Sequence, residues 1–285
     1  MTKSDFSTLL AHGPLLLDGA TGSNLMAAGM PRGVSTEAWV LAHPDVLTAL
    51  QRQYAAAGCR AVMAPTFQAN PVSQPEADLA AMIPALVALS RQAVGPDVLV
   101  AGDVSTTGRM APLGPLSYEA LVACYSDTVR LLEAAGVDYV AAETLLTEEE
   151  ALAILDAASS VSGLPVTVSW TVEADGSLPF GGSVYDAAAA AAAMGAAAVG
   201  INCSSGPEQL ESVVRHLRER VDVPILAKPN AGLPVIGEDG TAVYSLSPED
   251  FAAAMVRLRA AGATLLGGCC GTTPAHLQAL AAALT

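Results

Sequence analysis

Short apolar runs alternate with longer amphipathic stretches from one end of the chain to the other. The runs are Pro14–Asp18, Ala61–Thr66, Val98–Asp103, Val137–Glu143, Pro165–Trp170, Ala197–Asn202, Val223–Lys228 and Ala263–Gly268. Each is short and apolar on both faces, as parallel strands covered on two sides are. The stretches between them carry helix signals. Glu148, Glu149 and Glu150 load a first helical turn with negative charge, where the helix dipole favours it. Ser247-Pro248 supplies a capping hydroxyl and a proline at the first helical position. Gly136 and Gly262 each end a helix and lead straight into a strand. Repeated eightfold, this order predicts an α/β fold, a single (β/α)8 TIM barrel. A doubly wound open sheet fits less well, because no Gly-x-Gly-x-x-Gly follows the first run. No linker interrupts the pattern, so residues 1–285 read as one domain. The longest strand-to-helix connections are residues 19–42 and 230–246. The second holds Gly237-Glu238-Asp239-Gly240, a turn sequence suited to a small hairpin.

In such a barrel, chemistry collects where the strands end. Here those ends carry Asp18, Thr66, Asp103, Glu143, Trp170, Asn202-Cys203, Lys228-Pro229-Asn230 and Cys269-Cys270. The run Gly267-Gly268-Cys269-Cys270-Gly271 presents two thiols on one turn, and adjacent cysteines bridge each other only with strain. Such a turn also suits a phosphate site or a redox pair. Cys203, at the end of the sixth run, adds a third sulfur and favours a metal. Three thiolates with one open position suit catalytic Zn2+ at the C-terminal face of the barrel. Cys59 and Cys124 lie away from the strand ends and read as buried structural cysteines. His12, His43, His216 and His276 also miss those ends, which argues against a His-ligated hydrolytic zinc. A thiolate-rich zinc keeps a bound thiol ionised and nucleophilic, which fits alkyl transfer to sulfur better than water activation. Asp18 and Glu143 are placed to hold an ammonium group, and the turn Asp18–Ser23 offers backbone N–H groups to a carboxylate. The substrate so described is an amino-acid thiol.

Composition narrows the setting. Asp and Glu outnumber Lys and Arg by 28 to 13, which argues against nucleic acid or an anionic membrane as partner. Five cysteines, an odd number at irregular spacing, make no disulfide scaffold and point to a reducing compartment. The first residues hold no apolar signal core, and the alanine run 187–193 is too short to span a bilayer. The expectation is a cytoplasmic protein.

Four segments carry a family resemblance: Asp18-Gly19-Ala20-Thr21-Gly22, Glu143-Thr144, Gly200-Ile201-Asn202-Cys203, and Gly267-Gly268-Cys269-Cys270-Gly271-Thr272-Thr273-Pro274. In order and spacing the chain resembles the homocysteine S-methyltransferase family along nearly its whole length. Asn202–Glu208 and Pro229–Pro234 are most similar to the homocysteine-binding module of cobalamin-dependent methionine synthases. The resemblance implies zinc on Cys203, Cys269 and Cys270. It implies substrate contacts at Asp18, Gly19, Ala20, Thr21, Glu143, Asn202 and Asn230. Asp18 and Glu143 would hold the homocysteine amino group, residues 19–21 would meet its carboxylate, and Asn230 would approach zinc when substrate is absent. Thr21 and Ser23 stand where methionine synthases usually have Met and Thr, so this loop is a variant. On this resemblance the barrel is expected to work without a folate or cobalamin module in the same chain. The resemblance therefore implies a methyl donor from outside: a separate corrinoid protein, methylcobalamin or a small methyl sulfonium. Two other readings remain at this point. One is the methyltransferase subunit of a corrinoid-dependent system with a different thiol acceptor. The other is a non-catalytic zinc-binding barrel subunit.

Overall fold

A computed structural model describes residues 1–109, 114–237 and 242–285. Its strands are β1 (Leu15–Leu16), β2 (Ala61–Ala64), β3 (Leu99–Val104), β4 (Tyr139–Leu145), β5 (Val166–Trp170), β6 (Ala198–Asn202), β7 (Ile225–Lys228), a hairpin of β8 (Val235–Ile236) and β9 (Ala242–Val243), and β10 (Ala263–Leu266). Eight of them form one sheet in the order β1-β10-β7-β6-β5-β4-β3-β2, every neighbouring pair parallel. A parallel bridge between Leu17 and Ala61 closes the ring. The eight apolar runs of the sequence are the eight barrel strands, and the fold is a (β/α)8 barrel.

Side-chain alternation explains both the core and the site. Outward residues such as Val62, Val100, Val140, Val168, Val199 and Ile225 pack against the surrounding helices. Inward residues Leu15, Leu17, Ala61, Met63, Ala101, Tyr139, Ala141, Ala198, Leu226 and Leu265 fill the barrel. Many are small, because little space remains inside a closed eight-stranded barrel. The helix Lys3–Ala11 precedes β1, where the alternation gives no element, and its Phe6 and Leu10 plug the bottom of the barrel. Phe6 meets Tyr139 with ring centroids 5.1 Å apart. One step further up the same inward parity stand Asp103, Glu143, Ser169, Asn202 and Lys228. The apolar interior thus ends in a polar layer at its C-terminal mouth.

The helix signals are realised. Ser247 accepts from the Asp250 N–H, and Gly136 ends its helix with φ 83°. Glu150 does more than meet a dipole: it is buried and accepts from the Thr106 hydroxyl, the Thr107 N–H and hydroxyl, and the Tyr125 hydroxyl, so it pins the loop after β3. The long connection after β1 is not open loop; it contains helices Gly22–Ala27 and Thr36–Ala42. In the connection after β7, Val235 pairs with Val243 and Ile236 with Ala242. Of the turn expected there, Gly237-Glu238-Asp239-Gly240, all but Gly237 lie outside the described residues. Strand β4 runs past Glu143 to Leu145 through a register shift between Ala142 and Leu145. Such a bulge re-aims the side chains within it.

Candidate active site

Cys203 follows β6 directly, and Cys269-Cys270 lie on the turn after β10. Their three Sγ atoms all lie within 4.8 Å of one another. Cys203 and Cys270 are 3.7 Å apart, and none of the three is in a disulfide. Backbone bonds hold the arrangement: the Cys203 N–H donates to the Lys228 carbonyl at 3.2 Å, and the Cys269 N–H to the Pro229 carbonyl at 2.8 Å. The glycines have identifiable work. A Cβ on Gly267 would lie 2.8 Å from the Asp18 carbonyl and 3.1 Å from the Lys228 stem. At Gly271 the backbone has φ +81°, and the Tyr244 ring fills the space a side chain would need. The first and last connections are latched above this turn. The Thr272 hydroxyl accepts from the Ala20 N–H and donates to the Cys269 carbonyl, while Ser23 accepts from the Gly271 N–H.

Without a cation the three thiols share one negative charge. Hydrogen bonds from Cys203 and Cys269 draw Cys270 down to about 3. Cys203 is drawn down by Cys269 but pushed up to about 12 by Cys270 and burial, and Cys269 is raised well above the usual thiol range by its two sulfur neighbours. A divalent cation would remove that limit and let all three ionise. The donor set therefore fits a metal of the thiolate-preferring kind. Asn230 adds a further donor. It is buried, its amide N–H donates to the Ser204 carbonyl, and its Oδ1 has no hydrogen-bond partner among the described residues.

The thiols face a cavity of about 850 Å³ whose walls include Gly19, Ala20, Thr21, Glu143 and all three cysteines, together with Asp103, Lys228 and Tyr244. Seven of the ten expected site residues thus meet at one cavity. The other three stand behind it. Asp18 is 1 % exposed; its carboxylate accepts from the Met63 N–H at 2.9 Å and lies 3.7 Å from the Lys228 ammonium. Burial raises it to about 6, against the opposing pull of Lys228. Asn202 is fully buried and its amide is spent on neighbours. Its Oδ1 accepts from the Thr144 N–H at 2.7 Å and the Ser169 hydroxyl at 2.8 Å, and its Nδ2 donates to the Thr144 hydroxyl at 2.7 Å. Asn230 is engaged as described above. Ala20 lines the cavity, but its N–H is committed to Thr272.

Lys228 is the residue whose role the sequence did not disclose. Its Nζ lies 2.7 Å from Glu143 Oε2, and it is almost wholly buried. Burial works to lower its pKa, but Glu143 and Asp18 hold it well above the ordinary lysine value. The available signal was parity: Lys228 stands two residues beyond inward Leu226, on the same strand.

Among the described residues only Thr144, with φ 60°, and Cys203, with φ 49°, are non-glycine residues with positive φ. Such backbone costs of order 1–3 kcal/mol and persists only where its surroundings enforce it. Asn202 supplies that enforcement, gripping Thr144 from the residue before Cys203. Asn202→Ala is expected to cost about 2–4 kcal/mol in urea unfolding, since it removes three hydrogen bonds, one buried and two part-buried, and leaves the Ser169 hydroxyl and the Thr144 N–H without their acceptor. It should also loosen metal binding. A stability and metal affinity equal to wild type would contradict this role.

The comparisons with known proteins agree with this geometry. The sequence profile of the family described as Homocysteine S-methyltransferase matches residues 15–284. The chain is 32% identical to a methionine synthase of Mycobacterium tuberculosis over 303 aligned positions, covering 99% of this chain and 25% of that protein. It therefore spans about a quarter of that relative's length. It is 33% identical over 174 residues to Homocysteine S-methyltransferase 3 of Arabidopsis thaliana, covering 60% of this chain and 50% of the other. Among solved structures, the homocysteine methyltransferase MmuM of Escherichia coli in its metallated form superposes with a TM-score of 0.82 at 30% identity, covering 96% of this chain and 98% of that one.

Proposed function

The chain belongs to the homocysteine S-methyltransferase family, and from that premise we propose that it methylates the sulfur of homocysteine to give methionine, with zinc held by Cys203, Cys269 and Cys270. The observation that carries this is the meeting of three thiols at one cavity with a buried acid, Glu143, in its wall. Zinc on three thiolates supplies one piece of chemistry when bound: it acidifies a thiol and keeps it a nucleophilic thiolate. The protein's own groups bind and orient. Glu143 in the cavity wall, with the buried Asp18 behind it, offers negative charge to the amino end, and the loop at Gly19 and Thr21 offers backbone N–H groups to the carboxylate. Tyr244 covers the cysteine turn beside Gly271. The homocysteine sulfur forms the new S–C bond as the donor's bond to that methyl breaks. The bonding pair stays with the donor, and the thiol proton leaves to water. No protein base is needed, so holding sulfur and methyl carbon in line is the chain's main contribution to rate.

The donor arrives in trans: a separate corrinoid protein, methylcobalamin or a small methyl sulfonium. MmuM supports this, because that homocysteine methyltransferase is covered almost completely by a barrel of this kind. Residues 1–285 act as one catalytic unit in this reading. Five free cysteines suit the reducing conditions of the cytoplasm, and among the described residues no helix is long and apolar enough to cross a membrane.

Zinc-edge X-ray absorption on the loaded protein is expected to show one added sulfur ligand when homocysteine is supplied. A donor panel of methylcobalamin, S-methylmethionine and S-adenosylmethionine, assayed for methionine, is expected to yield product with at least one. An unchanged zinc environment together with no methionine from any donor would leave a non-catalytic zinc-binding barrel instead.

A further inference from the structure

The helix Pro44–Ala56 gives no residue to the cavity wall, yet one of its side chains reaches the loop that does. Tyr54 is fully buried, and its hydroxyl donates to the Ala20 carbonyl at 2.8 Å. Burial, followed by the charge of Asp18, raises that hydroxyl above the usual phenol range, so it stays protonated and stays a donor. Asn24 completes the brace: its amide N–H groups donate to the same Ala20 carbonyl at 2.7 Å and to the Thr272 carbonyl at 2.9 Å. The Ala20 N–H is held by the Thr272 hydroxyl at 3.0 Å. Both backbone polar groups of residue 20 are therefore pinned. A peptide unit is planar and trans, so its C=O and N–H point opposite ways. Turning the Ala20 carbonyl toward Tyr54 thus turns the Thr21 N–H away from it, and Thr21 lines the cavity. Among the described residues nothing accepts a hydrogen bond from that N–H. The loop lies directly on the brace: a Cβ on Gly19 would stand 2.7 Å from the Tyr54 hydroxyl and 2.8 Å from Thr272 Oγ1.

We propose that Tyr54 is a positioning residue for the substrate: with Asn24 it holds the 20–21 peptide so that the Thr21 N–H meets the carboxylate of the amino-acid thiol. This rests on the amino-acid-thiol reading above and deepens it, because it traces the aim of the head-group loop to a helix behind the site. Thr272 joins this brace to the cysteine turn. Its carbonyl accepts from Asn24, and its hydroxyl donates to the Cys269 carbonyl at 2.7 Å. The carboxylate's contact and the sulfur's contact are thereby held at a fixed separation.

Two thiols that differ only in the carboxylate test it: homocysteine and its decarboxylated counterpart, 3-aminopropane-1-thiol. Binding of each to the zinc-loaded protein is measured by calorimetry for wild type, Tyr54→Phe and Asn24→Ala, with zinc content read alongside. Tyr54→Phe keeps the ring and removes only the hydroxyl. Wild type is expected to prefer homocysteine. Each variant should weaken homocysteine roughly tenfold, the worth of one hydrogen bond to a charged group, and leave 3-aminopropane-1-thiol within about twofold. Retained affinity for the decarboxylated thiol, with one zinc per chain, also shows that the variant is folded and loaded. A change confined to stability would move both thiols together. Equal losses for both thiols, or an unchanged preference in either variant, would overturn the proposal. So would a wild type that binds both thiols equally. If wild type binds neither thiol, the acceptor reading itself fails.

Discussion

Cys203→Ala is expected to release the metal and lose methyl transfer in a single step. The three sulfurs come from two turns: Cys269 and Cys270 are neighbours in sequence, and Cys203 closes the set from β6. Removing Cys203 leaves two adjacent thiols on one glycine-rich turn, and two ligands do not fix a tetrahedral ion. Loss of the ion also removes the acidification of the substrate thiol, worth several kcal/mol at the transition state, so turnover should fall by at least about a thousandfold. Controls are built into the chain. Cys59 and Cys124 are buried elsewhere, and burial raises both thiols, Cys124 to about 11. Alanine at either should cost stability while leaving one metal per chain. Elemental analysis alongside methionine formation reads both outcomes. Cys203→Ala with stoichiometric zinc and full activity would end the metal assignment.

Much of this arrangement is legible in the sequence, for a reason that also marks where legibility stops. A strand buried on both faces shows itself as an apolar run, so Ala61, Leu99 or Ile225 announce their strands without help from the fold. The three cysteines are legible because their spacing puts them at two strand ends of one barrel mouth. The helix Lys3–Ala11 was hidden, because it buries only Phe6 and Leu10 and supplies little periodicity. Helices Gly22–Ala27 and Thr36–Ala42 were hidden by their shortness. At the site the failures are of direction. Sequence places Asp18 at a strand end, but which way an end residue points depends on how the chain bends there. Leu15 and Leu17 point inward, so parity sends Asp18 away from the barrel axis; the strand ends and the carboxylate turns back toward Met63 and Lys228. Glu143 keeps the inward parity of Tyr139 and Ala141 although β4 shifts register between Ala142 and Leu145. Charge pairing across 85 residues, as between Lys228 and Glu143, becomes visible only when the ring of strands is closed.

Lys228→Met is expected to expose how much the site depends on that one cation. Lysine and methionine have similar length, so the change removes charge with little loss of volume. It leaves Asp18, Glu143 and Asp103 together in a buried layer without a counter-charge. Breaking a buried ion pair from one side costs about 3–5 kcal/mol, and here two carboxylates lose the same partner. The cost must depend on pH. Asp18 already stands at about 6 with Lys228 pulling it down, so without Lys228 it moves higher. An acid whose folded pKa is raised contributes stability at pH below its unfolded value, and that contribution is lost as pH rises through the folded value. The variant should therefore unfold close to wild type near pH 5 in urea and fall progressively behind it toward pH 8. A deficit constant across that range would mean lost packing instead of lost charge. Glu143→Gln in the same background should recover part of the stability at pH 8, because one of the stranded charges is gone.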